Sequence, residues 1–313
     1  MRYGGYNPTT SEKIFLDVND VNSYTQNNMY RMNIIKRNFL RLLRVGAFGE
    51  NEEIEPMSEF KWEVLFHIAN IHNVIGVIFY AITQKRINEK LIPYGVIVKY
   101  KKIIEYDSSN NSHLATSVCT SIQLPDAGLS HMCNGFLNNR LKCIREKEPQ
   151  SADASVETLN MLDIIVQATE SAMTYGLSFA TILRIGIYLR VDGDKIDFVK
   201  LENWLSKLNL SRMAQLEGSI LIDIFGFEKD EIPFVNKLEP SAHKIAIEAL
   251  EKPIRIDVEE WKISQKSTIF LANNSKAMMK TVKNCMKYFF FAPVEASSNF
   301  LHRFVSSLSN LEE

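Results

Sequence analysis

Residues 156–176 read VETLNMLDIIVQATESAMTYG, and this stretch decides the fold class. Its apolar positions follow the three-and-four spacing of a helix over 159–175, and Gly176 stops it, as glycine does just past a helix C-terminus. The pattern continues downstream. Residues 179–189 form a second helical run, closed by the turn Asp192-Gly193-Asp194. Asp197 is placed to cap a helix carrying Val199, Leu201, Trp204, Leu205 and Leu208, and Ser211 to cap the next, which holds Met213, Leu216, Ile220, Leu221 and Ile224 and ends at Gly226. Two more helices are expected over 241–250 and 275–291. Pro293 sits in the first turn of a last helix, whose inner stripe is expected to be Leu301, Phe304, Val305 and Leu308.

Upstream the same period recurs. Phe39, Leu42 and Leu43 make one helical face while Lys36, Arg37, Arg41 and Arg44 fill another, and Gly46 and Gly49 are expected to end the helix. The cations read as a solvated face, with an anion-binding surface as the functional alternative. Ser58 can cap a helix striped by Phe60, Val64, Ile68 and Ile71 and again by Trp62, Leu65, Phe66 and Ala69. A helix apolar on so much of its surface is a core helix, and residues 74–83 read as its antiparallel partner. A further helix opens at Pro93, and 130–146 is helical around Met132, Phe136, Leu137, Leu141 and Ile144. The segment 124–128, Leu-Pro-Asp-Ala-Gly, is a break, and 148–155 is the best linker. Strand is expected only in short pieces at 15–18, 254–256 and 268–271. The fold class is therefore mostly α, a helical bundle-like array. Its parts are an N-terminal extension over 1–28, an N-terminal helical part over 29–148 and a C-terminal helical part over 156–313.

Bulk properties narrow the function. The 313 residues are 46% hydrophobic, and 36 cations face 37 carboxylates for a net charge of -1. That balance gives no domain-wide basic surface for nucleic acid or an anionic membrane. The apolar run 74–82 is far short of the roughly 20 residues of a membrane span, and 1–20 holds no apolar run of signal-peptide length. Cys119, Cys133, Cys143 and Cys285 form no Cys-x-x-Cys pair and have no His at zinc spacing, so they read as reduced thiols of a cytoplasmic protein.

Two blocks carry a family resemblance. The first is residues 39–49, FLRLLRVGAFG, followed by Trp62 and by residues 67–80, HIANIHNVIGVIFY. The second runs from Tyr175-Gly176-Leu177-Ser178-Phe179 through Tyr188-Leu189, Ile196-Asp197, Leu201, Leu208-Asn209-Leu210 and Phe225-Gly226, and closes on residues 287–296, KYFFFAPVEA. In order and spacing they resemble the helical N- and C-terminal parts of an uncharacterised bacterial nucleotidyltransferase family. The resemblance implies a catalytic palm between the blocks, with Lys-Gly and a Gly-Asp-x-Asp strand. Carboxylates one residue apart on a strand share a face and can hold Mg²⁺ over a triphosphate. Residues 108–157 supply neither motif, and they are fewer than the roughly 65–70 that four strands and two helices need. Where the family carries Arg and, four residues on, Asp, this chain has Ala180 and Arg184.

The remaining candidates read as structural. Asp192-Gly193-Asp194 is a glycine turn without the further ligands of a calcium loop. Asp126 and Asp153 each stand beside a loop signal without an acidic partner. His67 and His72 are five apart and do not share a helix face as a zinc pair would, and His67 is expected at the core edge. His113, His131, His243 and His302 stand alone, and residues 288–291, YFFF, read as core. No catalytic, cofactor-binding or metal-binding residue is assigned. The reading is a catalytically inactive relative of the nucleotidyltransferases that acts by binding or assembly, with a protein partner, without nucleic acid and without a membrane span. The alternative is an active Mg-dependent nucleotidyltransferase with divergent metal ligands, the one case in which Mg and a nucleoside triphosphate would be cofactors.

Overall fold

A computed structural model describes residues 32–83, 92–98, 101, 130–150, 154–251 and 272–309, with backbone alone for 272–278, 303, 304 and 306–309. All of these but Met32 belong to one compact unit, Asn33–Glu313. The described chain is helical and contains no strand. The expected strands at 15–18, 254–256 and 268–271, the extension 1–28 and the break at 124–128 lie outside the described residues.

Helix α1, Ile34–Leu43, starts where the Asn33 side chain accepts the Ile35 N–H. It does not stop at Gly46. The chain continues as a π-helical turn, Arg44–Phe48, and only Gly49, at φ 72°, ends it. Gly46 is needed for a close approach instead: a Cβ there would lie 2.3 Å from the Val77 carbonyl oxygen. Helices α2, Glu59–Ile71, and α3, Ile75–Thr83, pack on α1. Trp62, Leu65, Phe66 and Ala69 are fully buried, whereas the other stripe splits, with Ile68 inside and Phe60 72% exposed.

Helix α4, Gly135–Lys147, begins later than its periodicity suggests, because Asn134 caps it by accepting the Leu137 N–H. The described ends of the expected linker are anchored, and residues 151–153 lie outside the described residues. Residues 148–150 form a 3₁₀ turn in which Glu148 is buried, pairs with Lys200 at 2.9 Å and accepts the Ser155 N–H. Helix α5, Val156–Thr174, is capped by Ser155 and is the hub. It packs against α6, Phe179–Asp192, α7, Phe198–Lys207, and the C-terminal pair α10, Ala272–Tyr288, and α11, Pro293–Ser309. Its burial on several faces follows from having neighbours on several sides. Asp197 caps α7 as expected, while α8, Ser211–Phe225, is entered from Leu210 with Ser211 already helical. Residues 242–251 form α9.

The two helical parts share one core. Phe39 of α1 meets Phe179 of α6 edge-on at 5.7 Å, and Phe48 meets Phe225 at 5.7 Å and Phe227 at 5.1 Å. Gly186 admits this contact, since a Cβ there would press on Leu221, Phe227 and Phe48.

Candidate interaction surface

The N-terminal cations are neither solvated nor open to an anion. Lys36, Arg37, Arg41 and Arg44 are only 12–20% exposed at their side chains. The acidic segment 50–55 folds back on them. Arg37 forms a two-pronged bond to Glu55 at 2.8 Å, Arg41 reaches Glu55 at 3.0 Å, and Arg44 reaches Glu52 at 2.6 Å and donates to the Ile224 carbonyl. Lys36 pairs with Glu251. The hydrogen bonds and charge of Arg37 hold the Glu55 carboxyl below its ordinary range, whereas burial is the larger influence on Glu50 and raises it. The helical period placed these cations together, and the Glu-rich segment that neutralises them stands within twelve residues of Arg44 in the sequence.

Asp192-Gly193-Asp194 is the turn it was expected to be. Asp192 pairs with Lys195 at 2.7 Å and keeps that ammonium charged, and the two aspartates frame a 3₁₀ turn. Among the described residues, no three His, Cys, Asp or Glu side chains gather where they could hold a metal ion. Asp126, Asp153, His113 and Cys119 lie outside the described residues; Cys133, Cys143 and Cys285 are free thiols. Ala180 and Arg184 sit one turn apart on α6. Arg184 donates to the Gln167 side chain of α5 at 2.8 Å, and burial lowers its pKa.

The histidines separate. His67 is half-buried on α2, while His72 is 4% exposed and stacks edge-on against Phe179 at 5.0 Å. His131 is exposed beside Glu170, and His243 binds Asp223 at 2.6 Å. Four carboxylates, Glu148, Asp163, Glu217 and Glu295, are buried; the sequence places Asp163 and Glu217 on ordinary helix faces, Glu295 beside a helix N-terminus and Glu148 in the expected linker, and its pattern does not mark their burial. Asp163 is met by Arg145 and by the Ser130 hydroxyl at 2.8 Å, and Glu148 by Lys200. Glu295 accepts the Cys133 and Asn134 N–H groups at the entry to α4, yet burial still raises its pKa. Glu217 is 1% exposed, its Oε2 has no hydrogen-bond partner among the described residues, and burial holds the carboxyl well above its ordinary range. An open hollow of about 220 Å³ runs along α5, lined by Gln167, Glu170, Ser171, Thr174 and Tyr175.

The most distinctive surface is on the C-terminal pair, and it reverses two expectations. Leu301 and Val305, expected on the inner stripe of α11, are 58% and 62% exposed. The side chains of Phe304 and Leu308 lie outside the described residues. The aromatic run divides: Tyr288 and Phe291 are buried, and Phe289 and Phe290 are 45% and 72% exposed. Burial of Tyr288, whose hydroxyl takes the Leu177 backbone hydrogen bond, raises its pKa, and Phe291 lies under the Arg212 guanidinium at 5.6 Å. With these two rings turned inward, their neighbours face out. Met279, Met286 and Val294 are also exposed, so seven large apolar side chains of α10, α11 and their turn meet solvent. The buried faces of the pair are small and polar, Thr281, Asn284 and Cys285 on α10 and Glu295, Ala296 and Asn299 on α11; Asn284 and Cys285 donate to the Thr174 and Met173 carbonyls of α5. Compared with protein-family models, with curated proteins and with solved structures, the chain matches none.

Proposed function

We propose that this chain is a binding or assembly protein: a catalytically inactive relative of the bacterial nucleotidyltransferases it resembles, acting in the cytoplasm through its C-terminal helical pair. The exposed apolar surface of α10 and α11 is the observation that carries this reading. Large apolar side chains gathered on one element mark an interaction site more often than a solvated face. The neutralised N-terminal cations support it from the other side. Arg37, Arg41 and Arg44 already hold carboxylates, so a nucleotide would have to displace Glu52 and Glu55 to reach them. The free thiols of Cys133, Cys143 and Cys285 fit a reducing compartment, and no described helix is long and apolar enough to cross a membrane.

Titration calorimetry with each of the four ribonucleoside triphosphates and Mg²⁺ tests the reading. The expected result is no saturable heat. Micromolar binding that is lost when Asp192 or Asp126 is replaced by Asn would overturn it in favour of an active enzyme with divergent metal ligands. Such an enzyme needs clustered carboxylates to hold the cation and donors to hold the phosphates.

A further inference from the structure

We infer that the turn of the α10–α11 hairpin docks on an anionic membrane surface. This rests on the proposal that α10 and α11 form the binding surface, and it names what they bind. Two properties coincide there. The first is an apolar cluster at the turn. Met286 is 70% exposed, Phe289 45%, Phe290 72% and Val294 37%, all within about a helical turn of the connection, and the Phe289 and Phe290 rings meet edge-on at 6.1 Å. The second is charge. Residues 272–309 contain Lys276, Lys280, Lys283, Lys287 and Arg303 against the single carboxylate Glu295, and Glu295 is buried. Lys287 pairs with Glu248 of α9 at 2.9 Å, so a chain with a net charge of -1 keeps a positive surplus in this hairpin beyond that pair. Lys280 and Lys283 are exposed on α10, on the same helix as Met279 and Met286. Arg212, 59% exposed at its side chain, lies over Phe291 and pairs with Glu239 at 3.8 Å.

Charge favours an anionic bilayer as the occupant: the exposed Lys280 and Lys283 stand on the helix that carries Met279 and Met286, and the headgroup layer accepts both apolar rings and cations. Aromatic side chains settle at that interface, and flanking lysines interact with anionic headgroups. The anchor is also rigid. Tyr288 and Phe291 are held in the core on either side of the two exposed rings, so Phe289 and Phe290 are presented without ordering a loose loop. Anionic lipid is a feature of the cytoplasmic leaflet, the face that a cytoplasmic protein meets.

Co-sedimentation of the full chain with vesicles tests this. One set is phosphatidylcholine alone, and the other contains about a third phosphatidylserine, a surface that attracts basic segments. Binding is expected to the anionic vesicles only and to weaken as salt is raised. Phe289→Ser with Phe290→Ser, and separately Lys280→Glu with Lys283→Glu, should each lower the apparent affinity at least about tenfold. All four side chains are solvent-exposed, and an unchanged circular dichroism spectrum verifies that the variants fold. No sedimentation with either vesicle, or equal sedimentation with both that the lysine variant does not change, overturns the inference. So does a concentration-dependent dimer that the phenylalanine variant splits, because the face would then belong to a second copy. The two proposals fail separately. Nucleotide binding would sink the inactive reading whatever the vesicles show, and absent vesicle binding would leave that reading standing.

Discussion

His72 caps the end of α2 with its imidazole enclosed between Phe39 and Phe179. Burial drives its pKa down to about 4, against a backbone hydrogen bond to Ala249 that works the other way. The unfolded chain therefore takes up a proton near pH 6.5 that the folded chain refuses until about pH 4. The stability this represents is present above the unfolded value and is lost as pH falls through the folded one, up to about 3 kcal/mol. Glu217 has the opposite sign. Its raised carboxyl keeps a proton in the fold that the unfolded chain releases above about pH 4.5, so its contribution is complete below that value and is lost as pH rises toward the folded one. Together they predict a stability maximum in mildly acid to neutral solution. Urea unfolding across pH 4 to 9 should show His72→Phe flattening the acid limb and Glu217→Gln the alkaline limb. An acid limb as steep in the His72 variant as in the parent would mean that the imidazole is solvated. The His67 and His72 spacing was visible in the sequence. What encloses His72 was not, because Phe179 is brought in from the other half of the chain.

At the scale of elements, most helices were legible from period and punctuation: Asp197 caps where a polar residue precedes an apolar run, and Gly49, Gly176 and Gly226 stop helices at positive φ. The caps were less so: Ser58 stands at the N-cap of α2 without a side-chain cap hydrogen bond, and the caps Asn33 and Ser155 were not marked by the period. Which face of a helix becomes the inner one was less legible, because period marks a stripe and only a neighbour covers it. For α2 the neighbours cover Trp62, Leu65 and Phe66. For α11 they cover Glu295, Ala296 and Asn299 and leave Leu301 and Val305 out: Glu295 takes the Cys133 and Asn134 N–H groups at the entry to α4, while α10 turns Asn284 and Cys285 to the Thr174 and Met173 carbonyls of α5. The whole-chain charge balance hid the basic hairpin in the same way. Gly46 shows a glycine whose reason is contact instead of termination. Gly46→Ala would push a methyl group into the Val77 backbone, which has little freedom to retreat, and should destabilise the protein by about 1–3 kcal/mol. Gly193→Ala is the control, since its Cβ would meet nothing within 4 Å and its φ of -55° suits alanine. Thermal melts of the two variants should differ, and an unchanged melting temperature for Gly46→Ala would show that the π-helical turn after α1 does not meet α3 as described.

Across the whole molecule, the two helical parts that the sequence suggests are bound by more than a seam. The ring cluster of Phe39, Phe48, Phe179, Phe225 and Phe227 draws its members from both parts, and Arg190 of α6 lies over Phe48 at 4.7 Å and Phe227 at 4.1 Å. Polar ties run alongside: the Arg44 guanidinium donates to the Ile224 carbonyl, Ser178 donates to the His72 carbonyl, and Lys36 pairs with Glu251. Separating the parts would expose those rings and take the Ile224 carbonyl from the largely buried Arg44 guanidinium, and each loss disfavours a state with one part folded alone. Chains above about 150 residues commonly pass through such states, so a single transition here would be informative. Two tryptophans report on it, Trp62 at 0% exposure in the N-terminal part and Trp204 at 7% in the C-terminal part. In one variant Trp204 and Trp261 become Phe, and in the other Trp62 and Trp261 do. Within each variant, tryptophan fluorescence and far-ultraviolet circular dichroism are followed through the same urea titration, so that any stability difference between the variants drops out. Coincident midpoints in both are expected, because neither reporter's surroundings persist without the shared ring cluster. A Trp62 signal that moves well before the helical signal would show the N-terminal part opening first, and would assign Phe39 and Phe48 to an interface between two foldable units instead of to one core.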